Sequence, residues 1–309
     1  MIKNRKVAWP NLDTWINNLK ITPNGKTLVA ACMDRTIRLW DIANRMALLA
    51  SPLKGHTNSV RCLAITPNGV WLVSGADEGV LRVWDLTDPQ AGTVQAWQAH
   101  QGAVRALAMH PSGKFILSSG DDKMVKLWDL DTRTLVNDPL CKHSKPVGTV
   151  AFSNCGNFAV SADEEGVLNA WNCAPKLFPL SQFKSISTAI TGIAVLPIGN
   201  EICIACGDST IRRWNMLTGA SIGTEWIGHT ESVQCISVLP TGFIVSGSCD
   251  STLRLWDLQT GLKVGDVLQG GEMSVETLAV SPDGKTVASA GADEMFTWQL
   301  EYELEPAQS

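Results

Sequence analysis

The chain has 309 residues, 45% hydrophobic and 18% charged, with a formal net charge of −5 and a pI of about 5.6. That length suffices for one large core or two ordinary domains, and the acidic balance argues against nucleic acid as a partner, because neutralising phosphates needs a basic face. No stretch of about 18 apolar residues occurs and no apolar run follows the opening MIKNRK, so neither an ordinary membrane span nor a secretory signal is expected.

The first element in chain order is an extended-looking run, RKVAW, from Arg5 to Trp9. A unit then begins that recurs to the end of the chain. Its turn signal is PNG at Pro23 and its closing mark is Trp40. The pair returns as PNG at Pro67 with Trp84, PSG at Pro111 with Trp128, and NCG at Asn154 with Trp171. It returns again as PIG at Pro197 with Trp214, PTG at Pro240 with Trp256, and PDG at Pro282 with Trp298. The Trp spacings are 44, 44, 43, 43, 42 and 42 residues. Proline presets one turn dihedral and glycine accepts the positive one, so each triplet should reverse the chain between two strands.

Within a unit the apolar residues alternate as they do in strands. VRCLAI (Val60 to Ile65), WLVSGA (Trp71 to Ala76) and LRVWDL (Leu81 to Leu86) are three β runs, and a weaker fourth follows such a set at MALLA, Met46 to Ala50. Nothing carries helical periodicity. Four strands in about 43 residues is one blade of a propeller.

At this point the chain resembles the WD40-repeat family over nearly its whole length. The residues that carry the likeness are the GH pairs at Gly55-His56 and Gly228-His229, the SGSCD run at Ser246 to Asp250, and the LWD endings. The resemblance implies an all-β fold, a seven-bladed propeller with four antiparallel strands per blade, forming one domain over residues 1–309. Only nine residues follow Leu300, a short allowance for a last outer strand. The Arg5–Trp9 run is therefore expected to close the ring and remove an unpaired edge; EYELEP, from the other end, is the alternative.

The resemblance also implies that a His, a Ser, an acid and the Trp of each blade form one hydrogen-bonded chain. The sets are His100, Ser118, Asp122 and Trp128, and His229, Ser246, Asp250 and Trp256. Two more use Glu: His56, Ser74, Glu78 and Trp84, and His143, Ser161, Glu165 and Trp171. Leu12, Ile186 and Gly271 take the His place in units 1, 5 and 7, and Ala30 and Ile204 take the Ser place in units 1 and 5. A catalytic Ser-His-Asp set occurs once and needs an exposed nucleophile, whereas four graded copies at blade spacing read as architecture, so no enzyme is expected.

Propellers of this family present partners with a top face around the central channel. Carried over, its candidate residues are Trp15, Asn17, Met33, Arg61, Asp77, Arg105, Asp121, Glu164, Gln234 and Glu276. Arg61 and Arg105 beside Trp15 suggest a peptide ligand with an acidic group and an apolar side chain; the plain alternative is that both arginines pair with Asp77 and Asp121. The expected function is a non-enzymatic scaffold for peptide segments of other proteins, working as a monomer within a complex. The alternatives are a sensory propeller of a larger signalling assembly and an enzyme with a channel site.

Other signals are weaker. The nine cysteines follow no disulfide or metal framework, which points to reduced thiols in the cytoplasm or nucleus. CIAC, Cys203 to Cys206, lies in an apolar strand rather than a redox turn. His110 reads as an exposed turn residue. The recurrent basic residues Arg38, Arg82, Lys126 and Arg254 read as a solvated strand face. Neither a metal nor a cofactor is implied.

Overall fold

In blades 1 to 4, 6 and 7 the first two strands turn on the same backbone device. In the first, the Gly25 N–H bonds the Thr22 carbonyl at 2.8 Å, with Gly25 at φ 71°, a left-handed conformation that glycine enters without steric cost. The Thr22 hydroxyl donates to Asn24 Oδ1 at 2.7 Å, and Asn24 Oδ1 also accepts the Lys26 N–H. The computed structural model describes residues 2–9, 13–136, 143–173, 178–184, 188–197 and 200–302. Leu12, Ile186, and Ile198 and Gly199 of the fifth turn lie outside the described residues.

These hairpins extend into seven antiparallel sheets, one per unit. Blade 2 shows the pattern: Val60–Ile65, Trp71–Ala76, Val80–Asp85 and Thr93–Gln98, from the channel outward. Blades 4, 5 and 6 likewise have four strands. Blade 1 departs from the expected Met46 to Ala50 run. Two short pieces, Met46–Ala47 and Leu53–Lys54, share the edge of its third strand. In blade 3 three strands pair among the described residues, and a bridge from Trp128 to Leu135 begins the outer edge.

Blade 7 is assembled from both ends of the chain. Ile2–Ala8 pairs antiparallel with Glu294–Tyr302, in register from Ile2 with Tyr302 to Ala8 with Phe296. Residues 303–306 of EYELEP lie outside the described residues. Beyond this strand the Trp9 N–H bonds the Met295 carbonyl, and the Trp9 indole donates to Thr297 Oγ1 at 3.1 Å.

Because each sheet is buried on both faces, the apolar core lies between blades. Trp9, Leu19, Trp40, Ala288 and Met295 form the layer between blades 7 and 1, and Leu63, Leu72 and Trp84 meet Val29 and Leu39 between blades 1 and 2. The tryptophans are the largest side chains buried there: Trp84, Trp171, Trp256 and Trp298.

One irregularity sets up the site. In blades 1 to 6 the innermost strand slips register after its first residue, between Ile16 and Asn18, Val60 and Cys62, and Val104 and Ala106, and so on around the ring. The residue left unpaired is Asn17, Arg61, Arg105, Gly148, Thr191 or Gln234. A β-bulge of this kind re-aims one side chain, here toward the channel mouth.

Candidate interaction face around the channel mouth

Under the rim, the repeated polar residues join in series. In blade 2, Trp84 Nε1 donates to Ser74 Oγ at 2.8 Å; Ser74 Oγ lies 2.7 Å from His56 Nε2, and His56 Nδ1 lies 2.5 Å from Glu78 Oε1. An indole N–H can only donate, so the hydroxyl donates onward to Nε2 and the Nδ1–H goes to the carboxylate. Blade 3 repeats this through Trp128, Ser118, His100 and Asp122, at 2.8, 2.7 and 2.7 Å. Blade 6 repeats it through Trp256, Ser246, His229 and Asp250, each at 2.8 Å. The acids then tie down the loop ahead of the first strand, as when Glu78 accepts the Asn58 N–H and Asp250 the Thr230 N–H.

Blade 4 corrects the expected assignment. His143 Nδ1 meets Asp163 Oδ2 at 3.0 Å, not Glu165. Asp163 closes the second strand, is fully buried, and accepts the Glu165 and Val167 N–H groups on its other oxygen. Glu165 points out to Lys145 at 3.4 Å. A shorter acid placed two residues earlier reaches the imidazole from within the sheet, which leaves the longer one for solvent. Ser161 keeps its place, 2.9 Å from His143 Nε2 and 3.2 Å from Trp171 Nε1.

The incomplete blades occupy the same register. Ala30 lies opposite Arg38 and Ile204 opposite Arg212, where Ser74 lies opposite Arg82. In blade 7, Trp298 still donates to Ser289 at 3.1 Å.

Burial decides the electrostatics of these chains. It pushes the pKa of His56, His143 and His229 below the ordinary 6.5, against the raising effect of their carboxylate partners. Burial also opposes the charge on Asp122, but the His100 imidazole, the Gln101 N–H and the Lys126 ammonium outweigh it and bring its pKa down to about 2. Ser74, Ser118, Ser161 and Ser246 are wholly buried. A buried hydroxyl already bonded to both an indole and an imidazole cannot reach a substrate, so these sets are not nucleophile sites.

On the rim, most of the carried-over polar residues are engaged within the ring. Arg61 clasps Asp77 with two bonds, at 2.7 and 3.0 Å, and Arg105 reaches Asp121 at 2.6 Å and Glu164 at 3.8 Å. The guanidinium groups thus meet their acids inside the protein, as the plain alternative had it. An acidic ligand would have to displace these pairs to reach either guanidinium. Asn17 crosses to blade 2, donating to Ser59 Oγ and the Val60 carbonyl at 2.9 and 2.7 Å. Gln234 donates to Ser232 and Cys249, and Glu276 accepts from Ser274. Trp15 and Met33 differ. They are 50% and 53% exposed and lie side by side, the Met33 N–H bonding the Trp15 carbonyl at 2.9 Å.

Sequence reasoning passed over Lys20, because a lysine on a strand reads as a solvated face. Its register, opposite Val29, is that of Ala64, Ala108, Ala151, Ala194, Ser237 and Ala279 in the other blades. It lines the channel, a space of about 270 Å³, and burial lowers its pKa. The lone charge in a ring of small side chains was the signal available.

Two further expectations change. His110 is half-buried rather than a plain exposed turn residue: its ring packs edge-on against Phe115 and Phe152, and Nε2 lies 3.2 Å from the Gly156 carbonyl of blade 4. The recurrent basic residues are partly committed, with Arg38 on Asp34 at 2.7 Å and Lys126 on Asp122 at 3.3 Å. Cys203 and Cys206 lie buried in one strand, where burial pushes both thiols up to about 12, far from a redox-active thiolate. Among the described residues no group of His, Cys, Asp and Glu could hold a metal, and no helix is long and apolar enough to cross a membrane.

Comparison with known proteins agrees with this geometry. Two curated relatives each share 35% identity with a short part of the chain. One is "Nuclear distribution protein nudF 2" of Talaromyces marneffei, over 16% of this chain and 11% of that protein. The other is an uncharacterized WD repeat-containing protein of Schizosaccharomyces pombe, over 20% and 16%. The chain thus matches only a small fraction of either relative's length. The family profile "WD domain, G-beta repeat" matches residues 10–41, 47–85, 92–129, 135–172, 220–257 and 263–296. The gap between the fourth and fifth matches holds blade 5, where Ile204 replaces the serine. With six of seven blades matched and the seventh pairing in the same register, the chain belongs to the WD40 family.

Proposed function

We propose that this propeller is a non-enzymatic docking scaffold that holds a peptide segment of another protein against the top of blade 1. The observation that carries the reading is the exposed pair Trp15 and Met33, beside a rim whose polar groups are mostly satisfied from within. A tryptophan held by rigid backbone offers a large contact area at low entropic cost. Along the arc from blade 2 to blade 4, Asp77, Asp121 and Glu164 outnumber Arg61 and Arg105, so an approaching segment meets net negative charge. The partner residue that suits this surface is apolar, flanked by neutral or basic neighbours. Membership of the WD40 family supports a role in protein binding, carried out by a single copy of the chain inside the cell.

The test is quantitative affinity capture with the wild-type chain and the Trp15→Ala, Met33→Ser double variant. Both side chains are exposed, so the variant should melt within a few degrees of wild type, a surface change costing about 0.5 kcal/mol or less. Partners retained by wild type and lost by the variant support the reading. An unchanged partner profile places docking on another face.

A further inference from the structure

On the opposite side of the ring, the seam where blade 7 meets blade 1 opens into a cleft of about 400 Å³. Four chain segments line it. The N-terminal strand contributes Arg5, the first turn of blade 1 contributes Lys26, the end of its third strand contributes Asp41, and the turn that follows contributes Arg45. Thr297 stands at the back; its oxygen accepts the Trp9 indole N–H, so its hydroxyl hydrogen is available to donate into the cleft.

The charge here is unusual for this protein. Several strand and rim cations are paired, Arg38 with Asp34, Arg61 with Asp77, Arg212 with Asp208 and Arg213 with Glu201. Arg82, Arg254 and Lys20, without an ion pair among the described residues, stand singly in different blades. In the cleft, Arg5, Lys26 and Arg45 have no ion-pair partner among the described residues, and Asp41 is occupied by the Asn44 N–H at 2.7 Å. Three cations and one carboxylate leave two net positive charges, on a chain whose overall charge is −5.

We propose that the seam cleft is a binding site for a phosphate group, which clamps the N-terminal strand to blade 1. A dianionic phosphate balances the net charge. Two guanidinium forks with one ammonium suit its oxygens, since arginine pairs with phosphate in bidentate fashion and lysine acts as a point charge. The cleft's size is that of a small-molecule site rather than a flat surface. Because the ligand would touch chain segments from both sides of the closure, binding should stabilise the closed ring.

The test uses the full chain at low ionic strength. Its probes are sodium pyrophosphate, a phosphoserine peptide and the same peptide unphosphorylated, each followed by thermal melting and calorimetric titration. The expected result is a melting temperature that rises with pyrophosphate or phosphopeptide but not with the unphosphorylated peptide. Lys26→Glu with Arg45→Glu should weaken binding by about tenfold or more. Lys54→Glu with Lys263→Glu, which makes the same charge change elsewhere, should leave it intact. Binding of pyrophosphate alone identifies a small phosphate ligand, and binding of the phosphopeptide alone a phosphorylated protein segment; either upholds the site. No concentration-dependent rise with either phosphate probe, or equal weakening in both double variants, overturns it.

Discussion

Trp9 meets Trp40 edge-on across the closure of the ring, with ring centroids 6.1 Å apart and planes at 69°. Trp9 follows the N-terminal strand and Trp40 ends the third strand of blade 1, so this contact joins the two sides of the seam in the apolar layer they share. Trp9→Ala should remove a buried aromatic side chain together with its bond to Thr297, at a cost of about 3–5 kcal/mol. In a domain of this size that is a fall in melting temperature on the order of 10 °C. A loss of a degree or two, measured by differential scanning calorimetry, would mean that the seam does not rest on this contact.

Ser246 and Ser289 offer a matched comparison. Ser246→Ala orphans both the Trp256 indole N–H and His229 Nε2, whereas Ser289→Ala orphans the Trp298 indole alone. Each buried group left without a partner costs about 1–3 kcal/mol, so chemical denaturation should show the blade 6 variant losing about twice as much stability as the blade 7 variant. Equal losses would deny that the imidazole belongs to the same network.

Blade 4 separates two acids that lie two residues apart. Asp163→Asn alters a buried carboxylate that accepts from His143 and two backbone N–H groups, and it should cost about 1.5–3 kcal/mol for each charged hydrogen bond weakened. Glu165→Gln loosens an exposed pair with Lys145, which should change stability by about 0.5 kcal/mol or less. Urea unfolding of the two variants gives the order directly; the reverse order would restore Glu165 as the partner of His143.

Stability should fall on mild acidification. Burial holds His56, His143 and His229 below their ordinary pKa of 6.5 in the folded state. Below that value the unfolded chain binds protons that the folded chain does not, so the stabilisation is complete above pH 6.5 and is lost as pH falls through the lower folded values. Asp122, down at about 2, adds a second decline between its ordinary value of 3.8 and that point. Melting temperatures recorded from pH 8 to 5 should be level at first and then drop; a rise toward pH 5 would mean that these imidazoles are held charged.

Most of the architecture was readable because it is written seven times. A Pro-x-Gly turn (Asn-Cys-Gly in the fourth unit) and a Trp in step locate each hairpin, and the extended-looking Arg5–Trp9 run marks the closing strand, which the structure places at Ile2–Ala8. What escaped reading were local choices among near-equivalent side chains. Asp163 and Glu165 both stand near the same turn, and only strand register shows which one faces His143. Arg61 and Arg105 looked available because pairing across a bulge depends on side-chain direction, which spacing alone does not carry. Lys20 was missed for the opposite reason: its significance lies in the alanines at the same position of other blades. The edge of blade 1 is in two pieces: the Leu48 N–H still bonds the Leu39 carbonyl of the third strand, residues 49–52 leave it, and Leu53–Lys54 rejoins it, a detail below the reach of an apolar run.

The N-terminal strand is the fourth strand of blade 7 and holds the toroid shut. A chain lacking residues 1–9, melted alone and with a synthetic peptide spanning Ile2 to Trp9, tests this closure most directly. Its melting temperature should lie on the order of 10 °C or more below that of the full chain, restored in part as the peptide is added. A truncated chain that melts with the full-length protein, indifferent to the peptide, would contradict it.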